Sequence, residues 1–235
     1  MRKAQFFYLL RRGLLSGGLN FITEGLVMAS KFITQGLSFP AQGSAEFDGA
    51  SDYIQLNDPF NYTNHTIAAW VYADGTTGTY IFDNRDDNND GVRILINGSG
   101  YFEYSLNFND VPLSTSYANK WVYLVCSYDS TTQKVYVDGS LISSSATSQT
   151  ISTTTDARIG AHSYSLIDYY SGNLANVAIW NRALSSDEIN SVMWKSYDAL
   201  SGAESNGLQA WYSLDDIDGT SVPDSSGNGN NGTAY

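Results

Sequence analysis

Lys120-Trp-Val-Tyr-Leu-Val-Cys-Ser-Tyr-Asp129 and, shortly after it, Lys134-Val-Tyr-Val-Asp-Gly-Ser-Leu-Ile142 decide how this chain is read. In the first stretch Val122, Leu124 and Cys126 alternate with their neighbours, the period of a strand with one face buried. The second is two short runs around Asp138-Gly139, a dipeptide that accepts the positive backbone angles of a tight hairpin turn. Thr66-Ile-Ala-Ala-Trp-Val-Tyr72 repeats the pattern, with Ala68 and Trp70 on one face and Asp74-Gly75 as the following turn.

Composition agrees with an all-β protein. Tyr, Ile, Val, Thr, Trp and Phe are plentiful, the 235 residues include only 4 Pro, and Gly, Asn, Asp and Ser punctuate the chain. The length suits one large sandwich with its own core. One cysteine, Cys126, rules out an intramolecular disulfide, and its place on an apolar strand face marks it as a small core residue rather than a nucleophile. Trp70, Trp180 and Trp211 lie in strand patterns and are expected in the core. One helix is expected after Ser185, where Ser185 and Glu188 form a capping box and Ile189, Val192 and Met193 follow at helical spacing.

Charge divides the chain. Residues 1–40 hold Arg2, Lys3, Arg11, Arg12 and Lys31 against Glu24 alone, while the net charge of the whole is -12. An acidic body repels phosphate backbones, so no nucleic-acid role is expected for it. The basic arm contains Phe21-Ile-Thr-Glu-Gly-Leu26, repeated as Phe32-Ile-Thr-Gln-Gly-Leu37. Its aromatic and leucine residues point either to docking on other proteins or further copies of the chain, or to a cover over one end of the domain. No hydrophobic run is long enough for a membrane span. Met1-Arg-Lys3, Arg11-Arg12 and Val27-Met-Ala29 loosely resemble an export signal with its cleavage site, which Asn20 and Glu24 interrupt.

Four segments in order, Lys120–Asp129, Lys134–Gly139, Arg158-Ile-Gly160 and Gly172–Ser185, resemble the laminin G-like group of the concanavalin A-like lectin/glucanase superfamily, with pentraxins as more distant relatives. The resemblance covers roughly residues 43–235. It implies a two-sheet antiparallel jelly-roll sandwich. In such domains a segment like Gly207-Leu-Gln-Ala-Trp-Tyr-Ser-Leu-Asp-Asp216, with Asp224–Thr233 after it, usually precedes a strand like Ala45–Ile54; here it follows everything else. The expectation is therefore a circularly permuted, complete jelly-roll over residues 41–235, with one short helix, an N-terminal arm over residues 1–40, and the last strands filling the slot of the usual first one.

Superfamily glycanases carry paired carboxylates along one strand. The nearest match is Glu46-Phe-Asp48, which lacks a second Glu, so the chain is expected not to be an enzyme. Asp86, Asn88 and Asp90, followed by Gly91, have the Asp-x-Asn-x-Asp-Gly order of a calcium loop, which makes calcium a candidate cofactor. Pentraxins place further calcium ligands after their Ile-Gly strand, where Ala161–Asp168 offers only Asp168, so their ligand does not carry over. Sugars stack on aromatic rings while carboxylates and amides take the hydroxyls, so Tyr164, Asp168, Tyr169 and Tyr170 form the candidate ligand patch. The functional expectation is a non-catalytic structural or display protein of a phage or virus particle, a capsid decoration or tail component. Residues 1–40 would engage other virion proteins or self-associate, and the lectin-like body would touch surface glycans. The alternative is an exported bacterial glycan-binding protein or adhesin, secreted or at the cell surface.

Overall fold

The computed structural model describes residues 2–4 and 43–235. The hexapeptide repeat and, apart from Arg2 and Lys3, the export-like segment lie outside the described residues. Two antiparallel sheets face each other. Sheet A runs, in spatial order, β1 (Arg2–Ala4), β2 (Ser44–Asp48), β13 (Ser171–Trp180), β4 (His65–Ala73), β9 (Trp121–Tyr128), β10 (Thr132–Val137) and β11 (Ser140–Ala146), with β14 (Leu208–Tyr212) also paired to β13. Sheet B runs β15 (Ser221–Val222), β16 (Gly232–Ala234), β3 (Ile54–Leu56), β12 (Arg158–Ile159), β5 (Thr79–Asp83), β6 (Val92–Ile96), β7 (Phe102–Leu106) and β8 (Asn109–Pro112).

The expected strand faces are the observed ones. Val122, Leu124 and Cys126 point into the main core between the sheets, with Phe47, Leu174 and Tyr104. Ala68 and Trp70 point the other way, into a second cluster on the outer face of sheet A that also holds Trp180 and Trp211. Helix α1 (Ser186–Val192) packs into that cluster through Ile189 and Val192, and the Ser185–Glu188 capping box closes its start. A shorter helix, α2 (Gly202–Ser205), has its own capping box between Ser201 and Glu204. The β10–β11 hairpin turns at Asp138 and Gly139, both with positive φ, 49° and 78°.

Strand β13 serves two neighbours along one edge. Ser171–Leu174 pair with β2, and Val177–Trp180 pair with β14. The change falls at an irregularity where Asn176 takes φ 47°, a kink that lets one strand give way to the next. The closing segment thus enters both sheets, β14 beside β13 and β16 beside β3. At the other extreme, Arg2–Ala4 pair with Ser44–Glu46 at the edge of sheet A.

Candidate functional site

Across the outer face of sheet B one residue from each of seven strands falls in register: Thr233, Gln55, Arg158, Asp83, Arg93, Ser105 and Asp110. The next row, Ala234, Ile54, Ile159, Phe82, Ile94, Tyr104 and Val111, lies in the core. Period-two alternation therefore makes a polar stripe on the face opposite the core.

The connection between β12 and β13 is tied down on this stripe. It leaves the sheet at Gly160, whose φ of 87° and close approach to Phe47 leave no room for a side chain: a Cβ there would meet the Phe47 ring at 2.5 Å. It returns where Asp168 O accepts from Tyr80 N and Tyr170 N donates to Gly160 O. Between these points Ser163 anchors the excursion. Its backbone N donates to Asp83 Oδ2 over 2.9 Å, and its hydroxyl, with one proton to give, lies 3.0 Å from Asp83 Oδ2 and 2.6 Å from Arg85 O.

Asp83 and Arg85 form a buried ion pair, 0% and 3% exposed, closed by Nε to Oδ1 at 2.8 Å. Burial opposes the Arg85 charge, but the hydrogen bond and charge of Asp83 overcome it and hold the guanidinium above its ordinary value. Arg85 also donates to Asn89 Oδ1 and to the Tyr80 hydroxyl, and its Nη2 lies 3.3 Å from His162 Nε2. On the other side of that ring Nδ1 accepts from Tyr164 N and Ser165 N. Nδ1 also lies 3.5 Å from Asp83 Oδ2. Burial first, and then the Arg85 charge, hold His162 below its usual value against the opposing pull of Asp83.

This network brings together the two stretches that the sequence singled out, Asp83–Gly91 and Ala161–Tyr170. Within the first, Asp86 Oδ1 accepts from Asn88 N at 2.9 Å and Asp90 N at 3.0 Å. The Asp90 carboxylate accepts from both the backbone N and the hydroxyl of Ser152. The Asn88 side chain turns to Asp87. Among the described residues no group of three or more His, Cys, Asp or Glu is placed to hold a metal ion. Asp86 Oδ1 and both Asp90 carboxylate oxygens accept from the chain itself.

Of the expected ligand residues, Tyr164 is 61% exposed at the tip of the loop, beside exposed Leu166 and Ile167. Asp168 is exposed and Tyr169 partly exposed. Tyr170 corrects the expectation. It is fully buried, its ring meets Phe47 edge-on, and its hydroxyl donates to Tyr72 O at 2.9 Å, so it belongs to the core and presents nothing to a ligand. Two tyrosines that the sequence did not single out take its place. Tyr53 lies 6.3 Å from Tyr169 and stacks on Tyr235 at 4.8 Å with an interplanar angle of 5°. Tyr235 is 58% exposed. Arg158 stands over Tyr53 at 5.4 Å from the ring centroid, held by Nε to Gln55 Oε1 (2.8 Å) and Nη1 to His162 O (2.7 Å). Tyr53, Tyr169 and Tyr235 with Arg158, Gln55 and Asp168 form an aromatic ledge with a polar border.

The pair of strand carboxylates behaves differently. Glu46 is exposed, while Asp48 accepts from the backbone N of Ala50, Ser51 and Asp52. These bonds hold its carboxyl far below the usual range, led by that from Ser51. Asp48 closes its own turn. Among the described residues no helix is long and apolar enough to cross a membrane.

Residues 48–190 match the family model Laminin_G_3, described as Concanavalin A-like lectin/glucanases superfamily. No curated protein sequence matches the chain. Among solved structures, the chain is similar to a candidate carbohydrate binding protein from Bacteroides ovatus ATCC 8483, with 18% identity and TM-score 0.68 over 82% of this chain and 57% of that one. It therefore spans less than two thirds of that protein's length. Domain 4 of the GH43 extracellular arabinanase AbnA from Geobacillus stearothermophilus, in complex with arabinotriose, is similar at 17% identity and TM-score 0.52 over 64% and 76% of the two chains. The heptameric SAP-like pentraxin from Limulus polyphemus is similar at 15% identity and TM-score 0.50 over 66% and 88%.

Proposed function

This chain belongs to the concanavalin A-like lectin/glucanases superfamily, and we propose that it is a glycan-binding module whose ligand sits on the ledge of Tyr53, Tyr169 and Tyr235 and under the tip of the loop at Tyr164. The aromatic ledge carries this reading. The exposed Tyr235 ring and the partly exposed Tyr53 and Tyr169, bordered by Arg158, Gln55 and Asp168, supply what sugars need, a flat apolar surface for the C–H face and polar atoms for hydroxyls. A neighbouring fold holding arabinotriose and another described as a candidate carbohydrate binding protein support it. The proposed role is binding without hydrolysis, since Asp48, the nearest match to a strand of catalytic carboxylates, is committed to its own turn.

The experiment is an oligosaccharide array followed by calorimetry. The wild-type protein retains a subset of glycans; Tyr169→Ala and Tyr235→Ala weaken them by roughly tenfold each, the loss of one stacked ring. A folded protein that retains no carbohydrate of any class would sink the proposal.

For the chain as a whole, the proposed setting is display on a phage or virus particle, residues 1–40 being the attachment arm. The observation behind it is the repeat Phe21–Leu26 and Phe32–Leu37 in a basic segment ahead of an acidic body. Peptide mass spectrometry on purified particles and on the secreted fraction separates this from an exported adhesin: intact chain in particles supports display, and cleavage after Ala29 in the secreted fraction refutes it.

A further inference from the structure

We infer that the ledge selects an acidic sugar, a pyranose whose carboxylate pairs with Arg158; the inference rests on the glycan-binding reading above and adds to it the class of ligand. The starting point is charge. Of the 24 acidic residues only Glu24 precedes residue 41, so in the body acids outnumber the seven basic residues by about three to one. Five of those seven are paired: Arg85 with Asp83, Arg93 with Glu103 and Asp110, Lys134 with Asp129, Arg182 with Glu188, and Lys195 with Glu204. Among the described residues Lys120 and Arg158 have no carboxylate partner.

These two are not alike. Lys120 stands over Tyr117 at 4.9 Å and makes no side-chain hydrogen bond among the described residues. Arg158 is partly buried and fixed. Nε and Nη1 are engaged by Gln55 and by His162 O, both uncharged acceptors, which orient the guanidinium without neutralising it. Nη2 has no partner among the described residues. The nearest carboxylate in register, Asp83, is consumed by Arg85 and Ser163. The result is an oriented guanidinium over the Tyr53 ring, which itself stacks on Tyr235, with no carboxylate bonded to it among the described residues. A pyranose carrying a carboxylate meets both at once: its C–H face lies on tyrosine and its carboxylate oxygen accepts from Nη2, a charge-assisted bond stronger than a hydroxyl makes. A neutral sugar leaves that charge unmatched.

The test uses the full chain and four probes: a galacturonic acid trisaccharide, sialyllactose, lactose and maltotriose, titrated by calorimetry into wild-type protein and Arg158→Gln. Expected is at least about tenfold tighter binding of one or both acidic probes over the neutral ones, a preference lost in Arg158→Gln. The two acidic probes distinguish a uronic from a sialic acid. Because Arg158→Gln also releases Gln55 and His162, a second readout uses the wild-type protein alone: the affinity for acidic probes falls with added salt and that for neutral probes does not. Equal binding of acidic and neutral probes, unaffected by salt and by Arg158→Gln, overturns the acidic preference and leaves glycan binding standing. Binding of none of the probes, nor of any sugar on the array, overturns both.

Discussion

The Tyr104 hydroxyl donates to His65 Nε2 over 2.6 Å, a bond that joins sheet B to sheet A through the middle of the core. The other ring nitrogen, Nδ1, donates to Tyr62 O. The imidazole is therefore neutral, buried and fully used, and a proton added to Nε2 would break the contact between the sheets.

That relationship predicts how stability responds to acid. Burial lowers His65 to about 4, against about 6.5 in an unfolded chain. Below the unfolded value the unfolded chain takes a proton that the folded one refuses, so the contribution is complete above pH 6.5 and lost as pH falls to about 4. It amounts to about 3 kcal/mol over the window. His162, also lowered, adds in the same direction. Asp129 and Glu188, held at about 2 by Lys134 and Arg182, lose their contributions only below the ordinary carboxylate range near 4. Urea unfolding from pH 7.5 to 4.5 should show the decline, and His65→Gln should flatten it. A wild-type stability that is level over that range contradicts the assignment.

The anchor of the loop can be cut in two ways with different costs. Asp83→Asn leaves the buried Arg85 charge without its partner and should cost about 3–5 kcal/mol of global stability. Ser163→Ala removes one hydroxyl that bridges Asp83 and Arg85 O, costing about 1–2 kcal/mol. Its signature is local: faster hydrogen exchange across residues 161–168 with core strands unchanged. Uniform acceleration would show that the loop is not an independent unit.

Neighbouring tyrosines should separate by role. Tyr170→Ala empties a fully buried site and should cost about 3–5 kcal/mol. Tyr164→Ala, at an exposed tip, should stay within about 0.5 kcal/mol of wild type. Glycan affinity should respond to Tyr169 and Tyr164. Thermal melts and calorimetry on the three variants provide the check.

Asp86 and Asp90 already serve backbone and Ser152 donors, so neither calcium nor a chelator should move the melting temperature or the glycan affinity. A calcium-dependent rise in either would mean that the loop rebuilds around the ion.

The sequence made the core strands legible because their faces differ chemically: Val122, Leu124 and Cys126 alternate against residues of the other face, and a period of two needs no partner to be seen. The capping box at Ser185 was equally local. The ledge was not, because Tyr53 meets Tyr235 only through the pairing of β3 with β16, which lie at opposite ends of the body. The burial of Tyr170 did leave a trace. Leu174, Gly172 and Tyr170 share parity, and extending the inward face of β13 back by two steps would have placed Tyr170 inside. The Asp83–Arg85 anchor gave no such trace, since a dense polar run reads as solvated until a second loop is seen to cover it.

The sharing of β13 has a mechanical consequence. The candidate loop ends at Ser171, the first residue of β13, and Ser171–Leu174 are paired antiparallel to β2. A pull applied between a captured ligand and the chain ahead of Ser44 draws both strands by their N-terminal ends, which lie at opposite ends of the ladder. The bonds between them are then loaded together in shear rather than unzipped one at a time, so a module used as a tether would resist force along the axis on which tethering applies it.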